Sequence, residues 1–174
     1  SACTARCAER RDHMTISTDE FRRVLGHYAS GITVVTALVD EQAVGMTCQS
    51  FFSLSMDPPL IAFAPSKSSR SYADIRRSKS FCINILSESQ QHISNGFARS
   101  NSDKFAGIDW QAGKSGSPIL PDVLSWIDCE FEAEHDAGDH YLVIGRVLDM
   151  RATDQQPLLY FQGKYAEIAA KQTA

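Results

Sequence analysis

The sequence lacks the paired cysteines that would indicate a disulfide framework or a zinc site. Its five cysteines lie at positions 3, 7, 48, 82 and 129, with no Cys-x-x-Cys pair and no histidine at metal-ligand spacing. Cys82 and Cys129 fall within apolar runs, so we interpret them as small buried hydrophobic residues. We therefore expect neither disulfide bonds nor a bound metal.

Long apolar runs and an excess of positive charge are also missing. No run approaches the ~18–20 residues that cross a bilayer, and the N-terminus lacks the pattern of a signal peptide, so we expect a cytoplasmic protein without a membrane segment. Lys and Arg number 17 against 21 Asp and Glu, for a net charge of −4, and the basic residues are scattered. This distribution argues against nucleic-acid binding.

Two familiar nucleotide-binding motifs, the Walker loop and Gly-x-Gly-x-x-Gly, are absent, so a nucleotide would have to be held in another way. With 174 residues, of which 43% are hydrophobic, the chain suits one globular domain. Residues 1–14 are polar and without periodicity, and we interpret them as a tag or a disordered N-terminal arm. We expect residues 15–174 to form the single domain.

The pattern of the remaining chain predicts more strands than helices. Ser17 and Glu20 have the spacing of a capping box, which predicts a first helix from about 18 to 29. Further helices are predicted from 68 to 77 and after 87, and a long loop from 101 to 116. Predicted strands cover 32–39, 43–47, 60–64, 81–86, 123–135, 141–150 and 158–161. Hairpins dominate, so we expect a mainly β fold, an antiparallel barrel with helices packed outside.

A polar triplet, Gly138-Asp139-His140, precedes the apolar run 141–147. A histidine at the mouth of a strand can donate a hydrogen bond from either ring nitrogen, which makes His140 a candidate for contact with a substrate. The triplet is also a plausible turn, with Gly138 supplying a positive φ. A metal cluster with His135 and nearby aspartates is a third interpretation, but the spacing does not favour it.

Small and hydroxyl residues form a second block at positions 45–60, in which Thr47 and Ser50 offer hydroxyls and Phe51 offers an aromatic shelf. Such groups suit a flat ring with a polar rim. The alternative is an edge strand that carries ordinary surface serine and threonine residues.

A third block, residues 64–71, combines four serines with Lys67 and Arg70 at the start of a predicted helix. Hydroxyls, cations and free amides favour an anion, so the segment is a candidate phosphate cradle. The alternative is a solvated serine-rich helix cap.

Together these blocks resemble the short-chain flavin reductase family, the NAD(P)H:flavin oxidoreductases that supply two-component monooxygenases. The resemblance extends over about residues 20–166. The segments 103–110 and 116–120 look most like the reductase partners of aromatic hydroxylases that act in phenol and steroid-ring breakdown. The family resemblance implies the split antiparallel β-barrel of the FMN-binding, flavin reductase-like type. Such proteins are usually homodimers with flavin near the subunit interface.

The resemblance also implies roles for particular residues. The Gly138–His140 triplet would bind NAD(P)H, with His140 as the candidate catalytic residue, while Lys104 and Phe105 would close over the flavin tail. Aromatic residues near 160–165 would lie by the flavin or the dimer contact. The candidate cofactor-binding residues are Thr47, Cys48, Gln49, Ser50, Phe51, Pro65, Ser66, Lys67, Ser69, Arg70, Ser71, Lys104, Phe105, Gly138, Asp139, His140, Tyr160 and Tyr165.

The implied activity is hydride transfer from NADH, with NADPH possible, to FMN or FAD, followed by release of the reduced flavin to a separate oxygenase component. The sequence does not choose between FMN and FAD, since both share the ring and the first phosphate. A flavin-binding oxidase or binding module of the same barrel type is the alternative, against which the triplet argues. A non-enzymatic barrel scaffold is a third possibility.

Overall fold

The computed structural model describes residues 16–100 and 102–169. Three helices lie at α1 (Thr18–Leu25), α2 (Arg70–Ile75) and α3 (Gln91–Ala98), the last preceded by a 3-10 turn at Glu88–Gln90. The strands are β1 (Ser30–Gly31), β2 (Thr33–Val39), β3 (Gln42–Cys48), β4 (Phe51–Met56), β5 (Pro59–Phe63), β6 (Ser80–Ile85), β7 (Gln111–Ala112), β8 (Pro118–Ile119), β9 (Ser125–Ala137), β10 (His140–Ala152), β11 (Leu159–Phe161) and β12 (Lys164–Ala166). Residues 1–14, interpreted above as a tag or arm, lie outside the described residues.

One antiparallel sheet of seven strands dominates the fold, in the order β3-β2-β6-β9-β10-β5-β4. Its two edge strands, β3 and β4, are consecutive in the chain and are joined only by Gln49 and Ser50. A barrel opened along one seam requires this arrangement, because the first and last strands must then flank the opening. The predicted mainly β, antiparallel class is confirmed.

Strand β4 was missed by the sequence analysis, which treated 45–60 as a block of small residues between strands. It pairs antiparallel with β5, with Phe51 opposite Phe63. Its apolar side chains Phe52, Leu54 and Met56 alternate with serines, but all three are exposed. The alternation is typical of a strand, but here it is the apolar face that points away from the core.

Helix α1 is shorter than predicted and ends at Leu25 instead of near residue 29. Ser17 caps it as expected, since its hydroxyl accepts the backbone N–H of Glu20 at 3.1 Å. The chain leaves the helix at Gly26, whose carbonyl accepts a hydrogen bond from the backbone N–H of Gln162 at 2.9 Å. None of the helix residues is buried, so the apolar stripe of α1 does not pack into the core.

The core is split into two groups of buried side chains. One fills the barrel between the sheet and α2, around Phe63, Tyr72 and Phe81. The other lies under α3 and the C-terminal strands, around Phe97 and Leu120. Gly145 allows close packing in the first group, since an added Cβ would lie 2.5 Å from the Phe81 ring.

The long loop after α3 is held by polar groups from the sheet. Asp128, fully buried, accepts hydrogen bonds from the backbone and the hydroxyl of Ser115 at 2.7 and 2.6 Å. Asn84 accepts the backbone N–H of Leu120 at 2.8 Å, so both ends of the 113–120 segment are fixed. Phe105, Ile108 and Trp110 of this loop pack partly buried against the second core group.

No helix of the described residues is long and apolar enough to cross a membrane.

Candidate functional site

A cavity of about 1120 Å³ lies at the Gln49–Ser50 connection between the edge strands β3 and β4, which we call the seam. It brings together four of the predicted site residues, Gln49, Ser50, Phe51 and Tyr160. Helix α1 forms another wall with Phe21 and Leu25, which the sequence analysis did not assign to the site. An amphipathic helix with no buried face is the signal that could have found them.

The hydroxyls at this seam are already engaged within the protein. Ser50 donates to the carbonyl of Ala64 at 2.8 Å and accepts the backbone N–H of the same residue at 3.1 Å. Thr47 donates to the carbonyl of Ser94 at 2.6 Å. These bonds fix the seam; the Thr47 oxygen keeps lone-pair capacity for a further donor, whereas Ser50 also accepts from the Cys48 thiol at 3.3 Å.

Cys48 is buried in the barrel core, and burial raises the pKa of its thiol above the usual range. Any contact that this residue makes with a cofactor would therefore come from its backbone.

The predicted phosphate segment lies directly against the polar triplet. The backbone N–H of Lys67 donates to the carbonyl of Asp139 at 2.9 Å, and Ser66 forms an isolated β-bridge with His140. The backbone N–H of Tyr141 donates to the carbonyl of Pro65 at 2.9 Å. Two blocks that are about 70 residues apart in sequence thus form one continuous strip, which starts at the seam through Ala64.

The triplet itself is the turn of the β9–β10 hairpin. Gly138 has φ +67, the left-handed conformation that favours glycine. Asp139 Oδ1 lies 2.7 Å from Nδ1 of His140, and this hydrogen bond holds the pKa of the Asp139 carboxyl below its usual range. Among the described residues, no group of three or more side chains could hold a metal ion, so His135 and the aspartates do not form a cluster.

Behind the triplet lies an ion-paired cluster around the ring of Tyr141. Lys67 Nζ lies 5.3 Å from the ring centroid and 2.7 Å from Asp136 Oδ1, and this bond raises the pKa of Lys67. Arg76 lies 4.8 Å from the same centroid and pairs with Glu134.

Glu134 also accepts a hydrogen bond from the Tyr72 hydroxyl, and burial raises the pKa of that hydroxyl far above its usual value. The sequence analysis missed this cluster; acidic residues at alternate positions of a predicted strand were its only signal.

A smaller cleft, about 310 Å³, brings together Arg70, Ser71, Lys104 and Phe105. Lys104 donates to the carbonyl of Gly45, the hydroxyl of Ser71 and the carbonyl of Phe97, at 3.0, 2.8 and 2.9 Å. An ammonium group has three hydrogens, so its donors are all used inside the protein. Burial lowers the pKa of Lys104.

Two other candidates have structural partners. The hydroxyl of Ser69 accepts the backbone N–H of Tyr72 at 3.1 Å and caps α2, a helix of only six residues. The Tyr165 hydroxyl donates to Asn95 at 2.7 Å, and its ring lies 5.3 Å from that of Tyr160. Because α2 is so short, a phosphate cradle at 66–71 would depend on hydroxyls and cations more than on a helix dipole.

Comparison with known proteins decides the family. The family model described as "Flavin reductase like domain" matches residues 25–169. The chain belongs to the flavin reductase family. Its resemblance to that family, drawn above from the sequence blocks, is thereby confirmed.

Several named relatives share this family. The chain is 45% identical over 159 residues to the reductase subunit HsaB of a flavin-dependent monooxygenase from Rhodococcus jostii, covering 91% of this chain and 82% of that protein. It is 38% identical to the FMN reductase (NADH) SmoA from Agrobacterium fabrum, covering 86% of this chain and 85% of that protein. A solved structure, nitrilotriacetate monooxygenase component B from Mycobacterium thermoresistibile, is 44% identical and superposes with a TM-score of 0.86, covering 90% of this chain and 89% of that one.

Proposed function

We propose that this member of the flavin reductase family oxidises NADH with FMN or FAD and supplies the reduced flavin to a separate aromatic-compound monooxygenase. The observation that carries the proposal is the strip from the seam cavity through Pro65 and Ser66 to His140, in a chain whose relatives are named as reductase subunits. Such subunits work beside an oxygenase that is a different protein, and that partner is part of the proposal.

The residues of the seam fit a flavin. The cavity exceeds the ~300–1,000 Å³ typical of small-molecule sites, and Phe51 and Tyr160 give it apolar walls. Gln49 and Ser50 supply polar atoms at the same wall. In this proposal Phe51 supports the ring system, Ser66 and Arg70 are the candidates for the flavin phosphate tail, and Lys67 lies on the dinucleotide side of the strip, next to Asp139.

When bound face to face, reduced nicotinamide and flavin supply the hydride chemistry themselves. The protein's task is then to position the two rings and exclude water. His140 is fixed at the triplet by Asp139, so its Nε2 is the atom that we assign to dinucleotide contact. Arg76 and Lys67 hold the ring of Tyr141 and so help to fix the strand that carries His140.

We also propose a homodimer, in which a second copy covers what we call the seam face: Phe21, Val24 and Leu25 of α1, Tyr28 after it, and Phe52, Leu54 and Met56 of β4. All seven side chains are between 44% and 95% exposed. Four of them, Phe21, Leu25, Tyr28 and Phe52, line the cavity together. Exposed apolar side chains of this kind are typical of an interaction surface, and a second copy on this face would also close the proposed flavin site.

Two further parts of the proposal concern organisation. We infer that residues 15–174 act as one domain, because the seven-stranded sheet joins strands from β2 to β10. We place the protein in the cytoplasm, where NADH is available and where free thiols such as those of Cys48, Cys82 and Cys129 persist.

The test is to mix the purified protein with NADH or NADPH and with FMN or FAD, and to follow the absorbance of the reduced nicotinamide. Rapid flavin-dependent oxidation supports the reductase and ranks the four pairings. Flavin binding without oxidation would favour the oxidase or binding-module alternative. If flavins do not raise the thermal midpoint, no flavin binds and the scaffold alternative stands.

A further inference from the structure

The cations beside the triplet are occupied by carboxylates of strand β9. Lys67 pairs with Asp136 at 2.7 Å and Arg76 with Glu134. Glu134 and Asp136 are two residues apart on the strand, so both point to the same face, towards the ring of Tyr141. Asp139 adds a third carboxylate at the turn.

The charge balance at this face is therefore unfavourable for a further phosphate. Three carboxylates face two cations, and the pKa values of Asp136 and Asp139 are both lowered, so these two groups stay ionised at neutral pH. NADPH differs from NADH by a 2′-phosphate, which is normally held by an available cation. Lys67 is the cation next to the triplet, because its backbone N–H donates to the carbonyl of Asp139, so it is the cation that a dinucleotide phosphate at the triplet would meet first.

We propose that Asp136 is a specificity-determining residue that favours NADH over NADPH by neutralising Lys67. The inference rests on the proposed function, since it requires the dinucleotide to bind at the triplet. While the Lys67–Asp136 ion pair is intact, the ammonium of Lys67 is not available to bind a 2′-phosphate, and the carboxylate of Asp136 repels that phosphate. The pyrophosphate is common to both dinucleotides, so its contacts cancel in the comparison.

The test compares kcat/KM for NADPH with kcat/KM for NADH in the wild-type protein and in Asp136→Asn. Freeing an exposed lysine is expected to raise this ratio about fivefold, mainly through the KM for NADPH. In the double variant Asp136→Asn with Lys67→Met the ratio should return to the wild-type value, because the freed cation is gone.

The matched control is Glu132→Gln, which breaks another carboxylate pair on the same strand, that of Glu132 with Arg146 at 2.8 Å. This control should leave the ratio within about twofold of wild type. A ratio in Asp136→Asn that stays within the same range, or an equal rise in Glu132→Gln, would overturn the inference.

A second measurement does not depend on hydride transfer. Calorimetric titration with adenosine 2′,5′-bisphosphate should show about fivefold tighter binding to Asp136→Asn than to the wild type, with binding of adenosine 5′-monophosphate unchanged. If Asp136→Asn and the wild type bind adenosine 2′,5′-bisphosphate with the same affinity, the inference is contradicted. Absence of NADH oxidation in the wild type would overturn the proposed function, whereas oxidation with an unchanged ratio would overturn only the role of Asp136.

Discussion

Asp139 and His140 are joined side chain to side chain, with 2.7 Å between Oδ1 of the aspartate and Nδ1 of the imidazole. A carboxylate can only accept, so Nδ1 carries the hydrogen and Nε2 is the free ring nitrogen, which accepts when the ring is neutral and donates when the ring is protonated. The bond orients the ring at the turn of the longest hairpin in the sheet. A positioned imidazole at the end of the strip is the feature on which the proposed dinucleotide contact depends.

Removing the imidazole should therefore affect the dinucleotide and not the flavin. In His140→Ala we expect kcat/KM for NADH to fall about ten- to hundredfold, the loss of a hydrogen bond to a charged group. The flavin dissociation constant should stay within about twofold of wild type, measured by fluorescence titration. Unchanged NADH kinetics in this variant would remove His140 from the site.

Lys104 is expected to support structure more than catalysis. Lys104→Met leaves the carbonyls of Gly45 and Phe97 without their donor, so the free energy of unfolding should fall by about 2–3 kcal/mol. Urea unfolding of this variant and of Lys114→Met, which alters an exposed lysine of the same loop, provides the comparison. Equal stability of the two variants would contradict this role.

Two glycine substitutions should have opposite effects. In Gly145→Ala the new Cβ would lie 2.5 Å from the Phe81 ring, and overpacking should lower the free energy of unfolding by about 1–3 kcal/mol. In Gly96→Ala, within helix α3, no atom beyond the helix's own backbone lies within 4 Å of the new Cβ, so the free energy of unfolding should rise by about 0.5–1 kcal/mol. Thermal unfolding of both variants checks the pair, and a destabilised Gly96→Ala would be inconsistent with the open space there.

The buried cysteines should resist thiol reagents in the native protein. Burial raises the pKa of Cys129 to about 12, so at pH 8 only about one thiol in ten thousand is ionised and reactive. The rate at which the Cys129 thiol is modified in the native protein should increase about tenfold per pH unit up to that pKa. Peptide mass spectrometry after maleimide treatment would show the modification of Cys48, Cys82 and Cys129 only on unfolding; rapid native modification of Cys129 would contradict its burial.

The seam face gives a test of the homodimer. Leu54→Glu places a charge in the proposed interface, and we expect the particle to change from two chains to one in sedimentation experiments. Met150→Glu is the control, because Met150 is 66% exposed but lies outside the seam face. A wild-type protein that sediments as one chain, or a Leu54→Glu variant that stays dimeric, would rule out this interface.

Much of the fold was predictable because local patterns agree with it. The hairpin of β2 and β3 follows from the β-branched run 32–39 and the turn after it, where Asp40 and Glu41 both adopt positive φ. Strand β4 could not be predicted in the same way, because its apolar face is exposed and its serines look like a loop. The end of α1 depends on a backbone bond from Gln162, which lies far along the chain.

The site was predictable only in part. The sequence blocks identified the segments 64–71 and 138–140, but only the sheet register shows that Ser66 lies beside His140. Two of the three bonds of Lys104 reach residues that are 33 and 59 positions away, so no local pattern predicts them. The ion pairs of Glu134 and Asp136 depend on α2 and the 64–71 segment in the same way.

The most direct test of the reductase is anaerobic mixing of the protein, NADH and FAD or FMN, with the oxidised flavin absorbance followed in time. The account predicts rapid bleaching of the flavin with wild-type protein and bleaching at least about tenfold slower with His140→Ala. Bleaching no faster than in a mixture without protein would contradict the proposed function.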